Sequence, residues 1–149
     1  EIQSLVTPTG FGNPRRMTNG IDVNRVLLLI AVLEKRARMN LSNSDIYVNV
    51  AGGLRIDETA VDLGICAAVA TSQADIPLPP DMIFIGEVGL GGELRGVSQL
   101  EKRINEAAKL GFKSAIVPKQ SLRGVKIPDG FAAYGIKTIS EMINMLRRK

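Results

Sequence analysis

The chain contains no histidine and no tryptophan, and only one cysteine among its 149 residues. Without histidine neither a Ser-His-Asp nor a Cys-His catalytic arrangement can form. One cysteine cannot close an internal disulfide or furnish the ligand set of a structural zinc site. A phosphate-binding loop of the form G-x-x-x-x-G-K-[ST] is also missing, which excludes nucleotide binding by that route. No apolar run approaches the roughly 20 residues that span a bilayer, and Glu1-Ile2-Gln3 carries no signal-peptide pattern. Aromatic residues are limited to two tyrosines and four phenylalanines, so base stacking is not expected to dominate any contact with nucleic acid.

What is present reads as one globular domain. Hydrophobic residues make up 45% and charged residues 23% of the chain, a balance and a length that sustain a core. Cys66 lies inside an apolar run, so a buried thiol and a reducing, cytoplasmic setting are expected. Nineteen basic against fifteen acidic residues leave a formal charge of +4, which favours polyanions.

Periodicity orders the elements. Ile2 to Thr7 reads as a strand, and Pro8 to Pro14 as a loop leading to Arg15-Arg16. Asp22 caps a helix predicted to run to about Met39, with Val26, Leu29, Ile30 and Leu33 as its core stripe. Asp45 to Val50 alternates as a strand and ends at the glycine turn Ala51-Gly52-Gly53. Thr59 and Asp62 stand in capping-box spacing, predicting a helix from near Ala60 that is apolar on most sides to Ala70. A strand over 82–88 is followed by the glycines of 89–92 and a hairpin partner at 93–97. Ser98 and Glu101 take capping-box spacing before a helix closed by Gly111, which gives Glu101 a structural role as an N3 carboxylate. Strands at 114–117 and 132–136 follow, then a helix capped by Thr138 and ending in Arg147-Arg148-Lys149, which reads as a solvated, fraying end. Strands alternating with helices imply an α+β, α/β-layered fold.

The segment Asp57-Glu58-Thr59-Ala60, followed by Gly86-Glu87-Val88-Gly89-Leu90, resembles the two landmarks of the Lon proteolytic domain. There the first landmark carries a nucleophilic serine and the second precedes a helix bearing a lysine. Ala60 falls on the serine and Glu101 on the lysine, with Lys102 beside it, so the resemblance implies that the dyad is lost. The chain is more similar still to the Lon-like C-terminal domain of the RadA (Sms) family of bacterial DNA repair proteins. Phe11-Gly12-Asn13-Pro14-Arg15-Arg16, Gly20-Ile21-Asp22, Asn24-Arg25-Val26, Val32-Leu33-Glu34-Lys35-Arg36 and Glu106-Ala107-Ala108-Lys109-Leu110-Gly111-Phe112 carry that likeness in order along the chain.

The resemblance implies a Lon proteolytic domain-like fold of the ribosomal protein S5 domain 2-like type. It also implies a noncatalytic DNA-binding and oligomerisation domain within an ATPase that processes branched DNA in homologous recombination and repair. The implied partners are single-stranded or branched DNA bound without sequence preference, a homo-oligomeric, hexameric ring, and the RecA recombinase. ATP, Mg and Zn would belong to the intact protein, of which this domain would be a piece lacking the zinc module and the ATPase core; the domain itself would hold no cofactor, metal or membrane contact. Arginines and lysines near loops and helix starts can contact successive phosphates, and Arg15, Arg16, Arg25, Arg95, Lys102 and Arg103 are the DNA-binding candidates. Ion pairs across a subunit interface are the alternative for Arg15 and Arg16. Two other functions stay open: an active Ser/Lys peptidase using Lys102 with Ser98, four residues apart, and a protein-interaction module without DNA contact.

Overall fold

Alternation in the segment Ile46 to Val50 puts Ile46, Val48 and Val50 on one face of strand β3 (Ser44–Val50), where all three are buried. A computed structural model describes residues 1–148; Lys149, read above as part of a fraying end, lies outside the described residues. Strand β1 (Ile2–Pro8) pairs antiparallel with β3, placing Ile2 opposite Val50. A strand not anticipated from sequence, β2 (Arg16–Asn19), joins the other side of β3 in parallel. Arg16 therefore begins a strand rather than ending a loop; its four residues are too few to show a periodicity.

Helix α1 (Val23–Arg36) starts as expected, with the Asp22 carboxylate accepting the Asn24 N–H at 3.2 Å. It stops three residues earlier than predicted because Arg38 turns left-handed, with φ at 57°, and swings Met39 back into the core. Helix α2 (Asp62–Ala74) is buried from Asp62 to Thr71 except at Gly64, matching its apolar run. Burial pushes the Cys66 thiol well up, so it stays protonated among aliphatic neighbours.

A second, parallel sheet is formed by β4 (Met82–Phe84), β7 (Ser114–Pro118) and β8 (Ala132–Ile136), in the order β4-β7-β8. In β7, Ile116 packs into the main core with α1, α2 and α4 (Ile139–Arg147), while Ala115 and Val117 face a second apolar cluster beneath α3 (Leu100–Lys109). Both faces of this sheet are covered, as a parallel sheet requires, and the architecture is α+β and layered. Helix α3 closes as predicted at Gly111 (φ 98°), where the Phe112 N–H reaches the Ala107 carbonyl at 3.1 Å. The Thr138 cap of α4 also forms, its hydroxyl accepting the Glu141 N–H at 3.3 Å.

The predicted strand 82–88 divides in two. Beyond β4 the chain turns toward α2: the Gly86 N–H donates to the Ala60 carbonyl at 2.9 Å, and the Leu63 N–H donates to the Gly86 carbonyl at 3.0 Å. Glu87–Val88 then forms β5, a two-residue hairpin strand opposite β6 (Leu94–Arg95), shorter than the partner expected over 93–97. No helix among the described residues is long and apolar enough to cross a membrane.

Candidate nucleic-acid interface and the position of the missing nucleophile

The entrance to α2 is built around a buried charge. Asp62 is fully buried and accepts the Arg25 Nε–H at 2.9 Å, a second bond from Arg25 Nη2, and the Val88 N–H at 3.0 Å. A carboxylate inside an apolar helix must be paired and hydrogen-bonded to persist, and these contacts tie α1, α2 and β5 together. The hydrogen bond with Asp62 also raises the pKa of Arg25. The capping box predicted for Thr59 and Asp62 is therefore not formed. Residues Thr59–Val61 make a 3-10 turn with no side-chain cap, because the Asp62 carboxylate points into the core toward Arg25. One signal for this pair was visible in sequence: an aspartate opening an otherwise apolar run.

Ala60 is 7% exposed, its methyl set in the cluster that holds Ile85, Leu100, Ile104, Ala115 and Val117. Helix α3 contributes Leu100 and Ile104 to that cluster. Glu101, which the Lon resemblance sets against a lysine, is exposed, and its carboxylate accepts the Lys126 N–H at 3.0 Å. This corrects the capping role expected for it. The residue before α3 is Gln99 in a left-handed conformation with φ at 57°, and neither Ser98 nor Glu101 caps the helix by its side chain. In front of Ala60, the Glu58 carboxylate pairs with the Arg103 guanidinium, whose Nε–H also donates to the Ser98 carbonyl at 2.9 Å. Lys102 lies on the exposed first turn of α3, whereas a lysine acting as base is commonly activated by desolvation.

The six cations selected from sequence fall in three places. Arg15 and Arg16 stand at the start of β2. Arg16 donates to the carbonyls of Ser44 and Leu41, the latter at 3.0 Å. Arg15 is exposed; its backbone N–H donates to the Asp45 carboxylate at 2.7 Å and holds that carboxyl below its ordinary range. Arg25 and Arg95 share a cleft of about 260 Å³ over Leu28, Leu29 and Val32. Arg25 is engaged by Asp62 there, and Arg95 lies 3.9 Å from Glu87 and 3.5 Å from Glu93. Lys102 and Arg103 share the first turn of α3, and of these two only Arg103 has an ion pair among the described residues. No group of three or more His, Cys, Asp or Glu side chains among the described residues is placed to hold a metal ion.

A family model described as subunit ChlI of Mg-chelatase matches residues 24–121. The chain belongs to that family. It is 51% identical over 144 residues to the DNA repair protein RadA of Streptococcus pyogenes serotype M1, covering 97% of this chain and 32% of the relative. With the DNA repair protein RadA of Halalkalibacterium halodurans the identity is 51% over 145 residues, again 97% of this chain and 32% of the relative. With that of Bacillus subtilis (strain 168) it is 53% over 143 residues, 96% and 31% of the two chains. The RadA resemblance read from the residues is borne out, and the chain spans about a third of the length of these relatives.

Proposed function

We propose that this chain is a noncatalytic DNA-binding and oligomerisation domain of a RadA-type ATPase, one that works on branched DNA in recombination and repair in the cytoplasm. The observation that carries the reading is identity at about half of all positions, along nearly the whole chain, with proteins named for DNA repair. The noncatalytic part is supported by a buried alanine methyl where a nucleophile would stand, in an apolar cluster to which α3 contributes Leu100 and Ile104, with Lys102 on the exposed side of that helix. The net charge of +4 supports a polyanionic partner. In this proposal ATP, Mg and Zn serve the longer protein, the functional state is a hexameric ring, and RecA is a partner of the whole assembly.

Filter binding at low and moderate salt tests the DNA part. Retention of DNA is expected in dilute buffer, falling about a hundredfold for a fourfold rise in salt if roughly four phosphates are neutralised; no retention in dilute buffer would overturn it. Casein digestion tests the rest. Ala60→Ser is expected to digest nothing, because the new hydroxyl enters a buried apolar cluster and the position that the Lon resemblance sets against a lysine holds Glu101, with the neighbouring Lys102 exposed. Cleavage by the wild-type chain or by this variant would overturn the noncatalytic assignment.

A further inference from the structure

Strand β8 is an edge of the parallel sheet, bonded to β7 on one side alone. The Ala132 N–H donates to the carbonyl of Lys113, just before β7, at 3.0 Å, and backbone groups alternate in direction along a strand. Tyr134 and Ile136 therefore also bond toward β7, whereas Ala133 and Gly135 turn their N–H and C=O groups outward. No hydrogen bond engages those groups among the described residues. The opposite edge is better covered: at β4 the Met82 N–H goes to the Pro79 carbonyl at 3.4 Å, and the Phe84 carbonyl lies 3.8 Å from where a Cβ on Gly64 of α2 would stand. Open edges are ordinarily blunted by lysine, proline or a bulge. The run Ala132-Ala133-Tyr134-Gly135-Ile136 has neither residue type, and its register with β7 is unbroken.

A groove of about 470 Å³ runs between this edge and α4. Tyr134 and Ile136 form its floor, and Glu141, Asn144, Met145 and Arg148 of α4 its wall. The Glu141 carboxylate accepts the Lys137 N–H at 3.4 Å, which sets it at the end of β8, while Arg148 lies one helix length back toward the start of the strand. The two are separated by a helical rise of about 10 Å, close to the roughly 13 Å that four residues of extended chain cover. On the other face of β8, Leu122 and Lys119 fill the place a side chain on Gly135 would take, so an added strand could select side chains only on the α4 side. We propose that the β8 edge receives an extended polypeptide segment as an added antiparallel strand, carrying at alternate positions a basic residue toward Glu141, an apolar residue over Tyr134 and Met145, and an acidic residue toward Arg148. The intervening residues bond to Ala133 and Gly135. Antiparallel edge strands on parallel sheets are common, and in strand addition main-chain bonds give affinity while alternate side chains give specificity. A second copy pairing through its own β8 would offer Ala132, Tyr134 and Ile136 to the groove, with no charge for Glu141 or Arg148. The proposal is independent of the DNA-binding reading.

Fluorescence anisotropy with a labelled peptide containing Lys-Thr-Leu-Thr-Glu tests it. The chain is expected to bind this peptide with a Kd of about 1 mM or tighter. Lys-Pro-Leu-Pro-Glu, which lacks the two donors aimed at β8, is expected not to bind, and Glu-Thr-Leu-Thr-Lys to bind about fivefold more weakly. Ala133→Pro removes the outward N–H without touching the ladder to β7 and should weaken binding at least about tenfold, whereas Ala133→Ser keeps the N–H and should bind like the wild type. A circular-dichroism melt checks folding. Should Ala133→Pro melt early, Arg148→Glu takes its place: about fivefold weaker binding of the first peptide is expected, restored with Lys-Thr-Leu-Thr-Lys. No binding by the wild type, equal binding of the proline peptide, or equal or tighter binding of the exchanged peptide would overturn the proposal. So would sedimentation velocity showing that the wild type self-associates through this edge, with Ala133→Pro abolishing it.

Discussion

Asp62→Ala is expected to destabilise the fold by about 3–5 kcal/mol, the usual consequence of removing one partner from a buried ion pair. Arg25 is left with its positive charge against Leu29, Val32 and the Val88 backbone, and the Val88 N–H loses its acceptor. Three elements lose their common anchor at once, since Arg25 belongs to α1, Asp62 to α2 and Val88 to β5. Urea denaturation measures the effect. The companion Arg25→Met, Asp62→Leu double variant, which removes both charges and keeps apolar volume, should recover most of the loss. If Asp62→Ala alone stays within about 1 kcal/mol of the wild type, the pair contributes no more than an exposed one would and the description of the α2 entrance is wrong.

Gly20→Ala is the second large effect. Gly20 has φ at 86°, and a Cβ built there would stand 2.3 Å from the Leu54 carbonyl oxygen and 2.7 Å from the Val50 Cβ. Backbone and core atoms cannot step aside as the end of a flexible side chain can. Conformational strain and overpacking, each worth roughly 1–3 kcal/mol, act together, so a loss of about 3 kcal/mol or more is expected. Gly12→Ala is the control: its φ is 77°, yet nothing lies within 4 Å of the added carbon, so only the conformational cost of about 1 kcal/mol remains. Equal thermal midpoints for the two variants would show that crowding at Gly20 is unimportant. The position also matters for the site, because the Gly20 carbonyl accepts the Ile56 N–H at 2.7 Å and thereby fixes the loop that leads to Ala60.

Elements with a long apolar period were legible from the residues alone. The core stripe of α1, the burial of α2, the Gly111 closure and the Thr138 cap all form where local chemistry placed them. Errors arose where a side chain with two competing partners chose the distant one. Asp62 and Glu101 both sit at capping-box spacing, and both turn instead to groups far along the chain, Arg25 with Val88 in one case and Lys126 in the other. Such a choice depends on tertiary proximity, which spacing does not encode. The short strand β2 was hidden because four residues carry no periodicity, and the break that parts β5 from β4 was hidden because it depends on Gly86 bonding to the Ala60–Leu63 turn. For the charged surface, counting cations near loops could not distinguish a guanidinium held by groups of its own chain from an exposed amine, so Arg16 and Arg25 stand in the same list as Lys102.

Gly86 and the Ala60–Leu63 turn exchange a donor and an acceptor in each direction, and this reciprocity bears on what the domain can receive. An incoming extended polypeptide that sought to lie alongside this bend would find the amide and the carbonyl already satisfied from within. It would have to unzip two internal links before gaining any of its own. The molecule in effect serves as its own guest at this spot, whichever side chain stands at position 60.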